Sequence, residues 1–544
     1  MSLIKLATIV LIAALQVASC ETSDHYPPPE AGPVADQGWD HPTTQSWYHV
    51  DQGTAFFPYA WLVALEQAEG QARFIAPGNM ERFGFLSNPP SAEFNPDGLP
   101  VGFSRTSLDL DRPPFSCWPG EWAGLTCAAC HTGEIRYHGK RIRIEGGPAQ
   151  NDIEGFRISL AQALAANTTA PAKAQRFVDR VLQAAGDPAR DVPGALRCFG
   201  QAGAVRERIV REGLANASEP PTDSGFGRLD ALGRGGNFLF AESTNTPVNY
   251  EPTTAPVSYP ALWDTPYLDW VLYNNSARQP LARSIVEALG VGTPIDLSTL
   301  NAPVLEHELQ LENIIDMQIW LLDLKSPSWP AATLGPIDRP LAARGAAIYR
   351  DACGQCHEVI DRNNPASAQR KIQVPSYPVE QVGTDPRQAV NFATREITLG
   401  DTTRPLGAWV KEVTDKIVGQ YTADSKNAAR AELINRGEPN DFQIIEEYRA
   451  RPLNGVWATA PYLHNGSVPD LVELLKPPAE RPAVFYVGSW EIDPERLGFE
   501  WSSPFPGAFR FDTSLIGNSN AGHDYGTDLG AADRRALIEY LKTL

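Results

Sequence analysis

Two stretches of this sequence carry the same chemistry-bearing pattern. Cys127-Ala128-Ala129-Cys130-His131 and Cys353-Gly354-Gln355-Cys356-His357 both read C-x-x-C-H, the attachment signature of c-type haem. Cysteines three apart share one face of a helical turn, so both sulfurs reach the two vinyl-derived carbons on one porphyrin edge. The histidine that follows points over the ring and offers a nitrogen to iron as the proximal ligand. A zinc site or a thioredoxin-like dithiol also uses C-x-x-C, but zinc needs further Cys or His close by, and only His138 lies near either motif. Cys127, Cys130, Cys353 and Cys356 are therefore expected to hold two covalently bound haem c groups, with His131 and His357 on the irons. Cys117 and Cys198 either form one disulfide or stay as separate buried thiols.

The far side of each iron decides function, because six protein ligands make an electron carrier and an open position binds peroxide or oxygen. The methionines are Met1, Met80 and Met317, so the second motif has none downstream and a histidine is expected there. The candidates are His464, in Ala460-Pro461-Tyr462-Leu463-His464-Asn465-Gly466-Ser467, and His523, in Asn518-Ser519-Asn520-Ala521-Gly522-His523. The loop after the first motif, Ile144 to Asn151, has no histidine, and His138 reads as a surface or propionate contact. Met80, Met317 and nearby Tyr or Trp remain as alternatives. The simplest reading is an open or water-occupied first site.

Helices must position these groups. The motifs lie 226 residues apart, from Cys127 to Cys353, which argues for two domains with one haem each rather than packed porphyrins. Leu341 to Tyr349 is a helix-compatible run leading into Cys353, and Asp533 to Lys542 places Ala536, Leu537, Tyr540 and Leu541 on one face. Leu311 to Leu324 is the matching closing helix of the first domain, and Ser326-Pro327-Ser328-Trp329-Pro330 ends it with two prolines. The expected architecture is mostly α, with two cytochrome c-like domains, long loops and little β. The expected boundaries are a signal peptide at 1–20, an N-terminal tether and extension at 21–110, and haem domains at 111–330 and 331–544. No internal repeat beyond the haem motifs is evident.

Composition limits the rest. Lys+Arg 46 against Asp+Glu 65 gives a net charge of −19, which disfavours nucleic acid and anionic membrane surfaces as partners. A hydrophobic content of 42% excludes a largely disordered chain. The opening MSLIKLATIVLIAALQVASC has an early Lys5, an apolar stretch and small residues before Cys20, the anatomy of a secretory signal. Val17-Ala18-Ser19-Cys20 resembles a bacterial lipoprotein cleavage box, with Cys20 as the lipidated residue. The alternative is a plain signal peptide with an incidental cysteine. Either way the chain is expected to be exported, periplasmic, and in the lipidated case anchored to a membrane.

The run from Arg451 to Pro469 resembles the C-terminal-domain motif of bacterial dihaem cytochrome c peroxidases and MauG-type enzymes. Its wording, and that of the Asn518–His523 segment, is nearest to the rubber-oxygenase branch. The resemblance spans roughly Cys117 to Leu544. It implies His523 as the sixth ligand of the second haem and His464 as a residue beside the haems. It also implies a tryptophan relay between the haems, placed at Trp270 with Trp263 as runner-up, although the Asp-Gly-Arg that follows in the peroxidases is absent. Arg and Asn in Gly227 to Asn237 would contact propionates or an interdomain cation such as calcium, ordinary loop arginines being the alternative. The implied activity is reduction of hydrogen peroxide, or activation of dioxygen, at the first haem, with a small redox protein as electron donor. The alternatives are a dioxygenase cleaving an unsaturated substrate and a non-catalytic electron carrier.

Overall fold

The computed structural model describes residues 36–544 apart from 216, 362–363 and 365–369. Cys20 and the expected signal segment lie outside the described residues. No helix among those described is long and apolar enough to cross a membrane.

The expectation of a mostly α fold with little β is corrected. Helix makes up 41% and strand 14%, the strand spread over many small sheets, so the architecture is mixed α/β. Short strands surround the first motif. Gly120–Leu125 is the middle strand of a three-stranded antiparallel sheet, between Phe57–Pro58 and Phe103–Leu108. It runs directly into Thr126, whose hydroxyl caps the one-turn helix Cys127–Cys130. The chain leaves the motif as a hairpin, Thr132–Tyr137 with Lys140–Glu145. Its two-residue turn, His138-Gly139, has φ of 49° and 78°, as a tight right-twisted hairpin requires. These strands have two to six residues, too few for alternation to stand out against the helical periodicity of their neighbours.

The helices that bracket the second motif lie where the sequence puts them. Arg339–Ala352 enters Cys353, capped by the Asp338 side chain on Leu341 N, and crosses the closing helix Ala531–Leu541. The crossing is close. A Cβ on Gly345 would lie 1.9 Å from the Ala536 carbonyl oxygen. The Tyr349 and Tyr540 rings pack 5.2 Å apart beside it. The helix Leu311–Asp323 matches the expected closing helix of the first half.

One hydrophobic core touches both motifs, since Ala128, Met317, Trp263, Tyr349, Trp457 and Leu537 belong to it and Cys127 and Cys353 pack against it. A second, aromatic core gathers Trp61, Trp118, Trp122 and Phe156 from residues 55–195. Residues 36–110 are thus folded into the body, with Trp47 and Trp61 fully buried. Cys117 and Cys198 are disulfide-bonded, tying the turn Phe115–Cys117 to the helix Val192–Leu214.

Candidate functional site

The histidine of each motif is held by a backbone carbonyl. His131 Nδ1 lies 2.8 Å from the Pro260 carbonyl oxygen, and His357 Nδ1 lies 2.8 Å from that of Arg451. The Nδ1–H donates, which fixes the tautomer and leaves Nε2 free to ligate. Burial lowers the pKa of both rings, that of His131 to about 4, so both rings are neutral at pH 7.

His131 and Cys127 line a partly open cavity whose apolar lining is Pro260, Leu262, Val271, Leu272 and Leu321. Its polar side carries Arg283, Glu287, Gln318 and Arg449. Burial lowers Arg283 to about 10 and Arg449 to about 9, and Arg449 Nε is buried without a hydrogen-bond partner. Glu287 is open to the cavity space, yet loss of bulk solvent raises its carboxyl above the ordinary range, against the pull of Arg283. Gln52 grips the motif at two points, accepting from Cys127 N at 3.0 Å and donating to Cys127 Sγ at 3.1 Å. Gly102 lets the chain pass beneath, since a Cβ there would lie 2.2 Å from Ala129 Cα.

The second motif faces His523. The His357 and His523 ring centroids are 6.3 Å apart. A metal–imidazole bond of about 2.0 Å on each side, with each centroid roughly 1.1 Å behind its nitrogen, separates two trans imidazoles by about 6.2 Å. His523 has a left-handed backbone, φ 52°, and an Nδ1 buried without a partner. Burial, then His357 and Arg481, lowers its pKa to about 4. The loop that presents it is clamped. Arg481 donates to the carbonyls of Asn520, Gly522 and His523, and Val382 O accepts from His523 N.

The residues fit haem c better than zinc. Burial pushes Cys127 and Cys130 up to about 12 and Cys353 up to about 11. That setting suits a neutral thioether, whereas zinc needs thiolates. The buried guanidiniums of Arg283 and Arg449 on the first cavity fit the carboxylates of a haem, which would relieve the cost of burying them. Among the described residues, no group of three or more His, Cys, Asp or Glu is arranged to hold a metal ion.

The other sequence-named residues fall as follows. His464 is half-buried, stacked on Tyr448 at 4.2 Å and edge-on to Tyr273 at 6.1 Å; loss of solvent drives its pKa to about 3. Trp270 brings its carbonyl to Arg449, while its ring lies 5.6 Å from the Arg278 guanidinium. Trp263 is fully buried and donates its Nε1 to Asn454 O. His138 is exposed at the hairpin turn and stacks on Tyr137. Met80 and Met317 are buried in the two cores and do not line the first cavity. In the segment expected to meet a cation, Arg228 donates to Ser224 O, Asn465 O and Asn518 Oδ1, and Arg234 pairs with Glu154.

The two histidine-holding segments share one backbone course, a repeat the sequence reading missed. A constant offset of 191 residues relates Pro260 to Arg451, Asp264 to Gly455, Leu272 to Leu463 and Asn275 to Gly466. The last three pairs all have positive φ, between 55° and 72°. The 3-10 turns Thr265–Tyr267 and Val456–Ala458 correspond, as do the bridges Val271 to Ala277 and Tyr462 to Val468. Leu262/Leu453, Leu272/Leu463, Asn274/Asn465 and Ser276/Ser467 are the identical pairs over 260–280, too sparse to register without the backbone.

Residues 447–486, which include the second copy of this segment, match the family described as RoxA-like, cytochrome c-like. The chain is 35% identical to the uncharacterized protein y4iJ of Sinorhizobium fredii (strain NBRC 101917 / NGR234), covering 99% of this chain and 98% of that one. The chain belongs to the y4iJ family. The uncharacterized protein y4iM of the same organism is 25% identical over 54% of this chain and 65% of its own length. For this y4iJ-family chain the cytochrome c-like match implies haem c, and the RoxA-like relationship points to a haem oxidoreductase. Gln52, Arg283, Glu287 and Arg449 were not singled out by the sequence. They come from segments far from either motif, and only the fold brings them to the first cavity.

Proposed function

We propose that this chain is an exported dihaem c-type cytochrome oxidoreductase that reduces hydrogen peroxide, or activates dioxygen, at its first haem and takes electrons in through its second. One observation carries the reading. His357 is faced by His523, whereas among the described residues the cavity around His131 is lined by no second histidine and no methionine. Two unlike sites in one chain suit a division between electron entry and chemistry.

Cys127, Cys130 and His131 would hold one haem, and Cys353, Cys356, His357 and His523 the other, in cytochrome c-like units at 111–330 and 331–544. The haems supply the redox chemistry; the chain supplies insulation, orientation and proton handling. Pro260 and Arg451 hold the proximal imidazoles in one tautomer. Arg283 and Arg449 offer positive charge to propionates on the cavity wall. Glu287, on the cavity lining, would take a proton from peroxide at its carboxylate oxygen and return it to the leaving oxygen. The tryptophan relay is placed at Trp270. Trp263, which joins the two repeated segments through Asn454, supports the alternative position.

The chain is read as periplasmic, with Cys20 as the lipid attachment point and a small redox protein as donor. A dioxygenase cleaving an unsaturated substrate is the second reading, supported by the RoxA-like match and by the apolar wall of Leu262, Val271, Leu272 and Leu321.

Intact mass of the exported chain tests the foundation, with an increment of two haems expected. Peroxide-dependent oxidation of a reduced small cytochrome then supports the peroxidase, and dioxygen-dependent cleavage of an alkene supports the oxygenase. Glu287→Gln should slow peroxide turnover by about 10²–10⁴-fold. Because the carboxylate form accepts the proton, activity of the unaltered chain should fall as pH drops through a pKa above the ordinary carboxylate range. That acid limb should vanish in Glu287→Gln, and its persistence would assign the proton to another group.

A further inference from the structure

The repeated segment does more than hold two imidazoles. In the first copy, Pro260 O accepts from His131 Nδ1, and the next residues continue as Ala261, Leu262 and Trp263. In the second copy, Arg451 stands at the position of Pro260. Its carbonyl oxygen does for His357 what Pro260 does for His131. Its guanidinium then reaches into the first copy, donating from Nη1 to Ala261 O at 2.7 Å and from Nη2 to Trp263 O at 3.1 Å. The Trp263 indole returns the contact, donating to Asn454 O at 2.6 Å.

We propose that Arg451 is a positioning residue that couples the two haem sites: its carbonyl holds the His357 imidazole, and its guanidinium holds the segment whose Pro260 carbonyl holds the His131 imidazole. The inference rests on the dihaem reading above and adds to it a mechanical link between the irons' ligands. One residue spans from one proximal hydrogen bond to within one peptide unit of the other. A shift of either imidazole therefore moves an atom rigidly bound to the other. Arginine suits the task because its planar fork engages two carbonyls at once, which an ammonium cannot do in the same way. The internal duplication explains how the link arises, since two copies of one loop lie side by side and only the second carries a side chain at this position that reaches its mate.

The physical consequence is electronic. A donated Nδ1–H bond raises the basicity of a ligating imidazole, which favours the ferric state and lowers the reduction potential. Removing the guanidinium loosens Pro260 O from His131 Nδ1 and frees the Arg451 backbone from its anchor, so both hydrogen bonds weaken together.

The test is spectroelectrochemical titration of the full-length protein after mass spectrometry has established its haem content. Arg451→Met, which keeps length and loses the donors, should raise both midpoint potentials. Arg451→Lys, which keeps one charge and one reach, should raise both by less, and it answers the question if Arg451→Met fails to mature. Tyr349→Phe serves as the local control, because the Tyr349 hydroxyl donates to the His357 carbonyl oxygen at 2.8 Å and should move the second potential only. In the reduced protein, the iron–histidine stretch of the first haem should fall in frequency in both Arg451 variants. A shift confined to the second haem, or no shift at either, overturns the coupling. An unaltered chain that carries no pair of haems overturns the dihaem reading instead, and mass shows that before any titration begins.

Discussion

In His523→Ala, the second site of the ferric protein converts from a low-spin to a high-spin spectrum, and the first site keeps its own. The expectation follows from the separation of the rings. His357 and His523 stand 6.3 Å apart with room for one metal between them, and deleting one imidazole leaves one axial position without a protein ligand. The loop should survive the change. Arg481 holds the carbonyls of Asn520, Gly522 and His523, and Ser519 N donates to Asp385 Oδ2, none of which involves the His523 side chain. The emptied position should then accept added imidazole and recover the low-spin spectrum. A low-spin second site that persists in the variant without added ligand would place the sixth ligand elsewhere. His464, stacked on Tyr448, would be the first residue to substitute next.

Gly345→Val should abolish the second half of the fold. The added Cβ would lie 1.9 Å from the Ala536 carbonyl oxygen and 2.6 Å from its carbon, both backbone atoms of the crossing helix. Neither helix can retreat cheaply. Asp338 N donates to Glu539, Arg344 pairs with Asp533, and the Tyr349 and Tyr540 rings meet on the same side. Overpacking of this kind costs about 1–3 kcal/mol, and more where, as here, the clash is with backbone, and Tyr349, whose hydroxyl donates to His357 O at 2.8 Å, would be displaced with it. The measurable result is loss of the exported, coloured protein, or a chemical-denaturation midpoint far below that of the unaltered chain. Gly345→Ala, with the same Cβ and less bulk, should fall between the two. A Gly345→Val protein as stable as the parent would show that the two helices part without cost.

Much of the local structure was legible because it depends on neighbours in the chain. The bracketing helices around the second motif follow from the apolar spacing of their residues. The proline pair at 327 and 330 marks the end of the helix Leu311–Asp323. The strands were not legible, since a two- or three-residue strand has no periodicity of its own and is set by its partner. The hairpin at His138-Gly139 is the exception. Its Ile142 and Ile144 alternate with Arg141, Arg143 and Glu145, a period-two strand signal present in the sequence itself.

Sequence alone determined that Cys127, Cys130 and His131, and again Cys353, Cys356 and His357, would present two sulfurs and a nitrogen in one turn, because three-residue spacing on a helix is local geometry. Tertiary structure decided what meets each histidine. His523 arrives opposite His357 across 166 residues of chain, Arg283 and Glu287 arrive at the cavity of His131 on a separate helix, and Arg451 reaches the segment that holds His131. Those encounters depend on how two copies of one loop pack against each other. Packing is a property of surfaces brought together from distant parts of the chain, and no spacing within either copy encodes it.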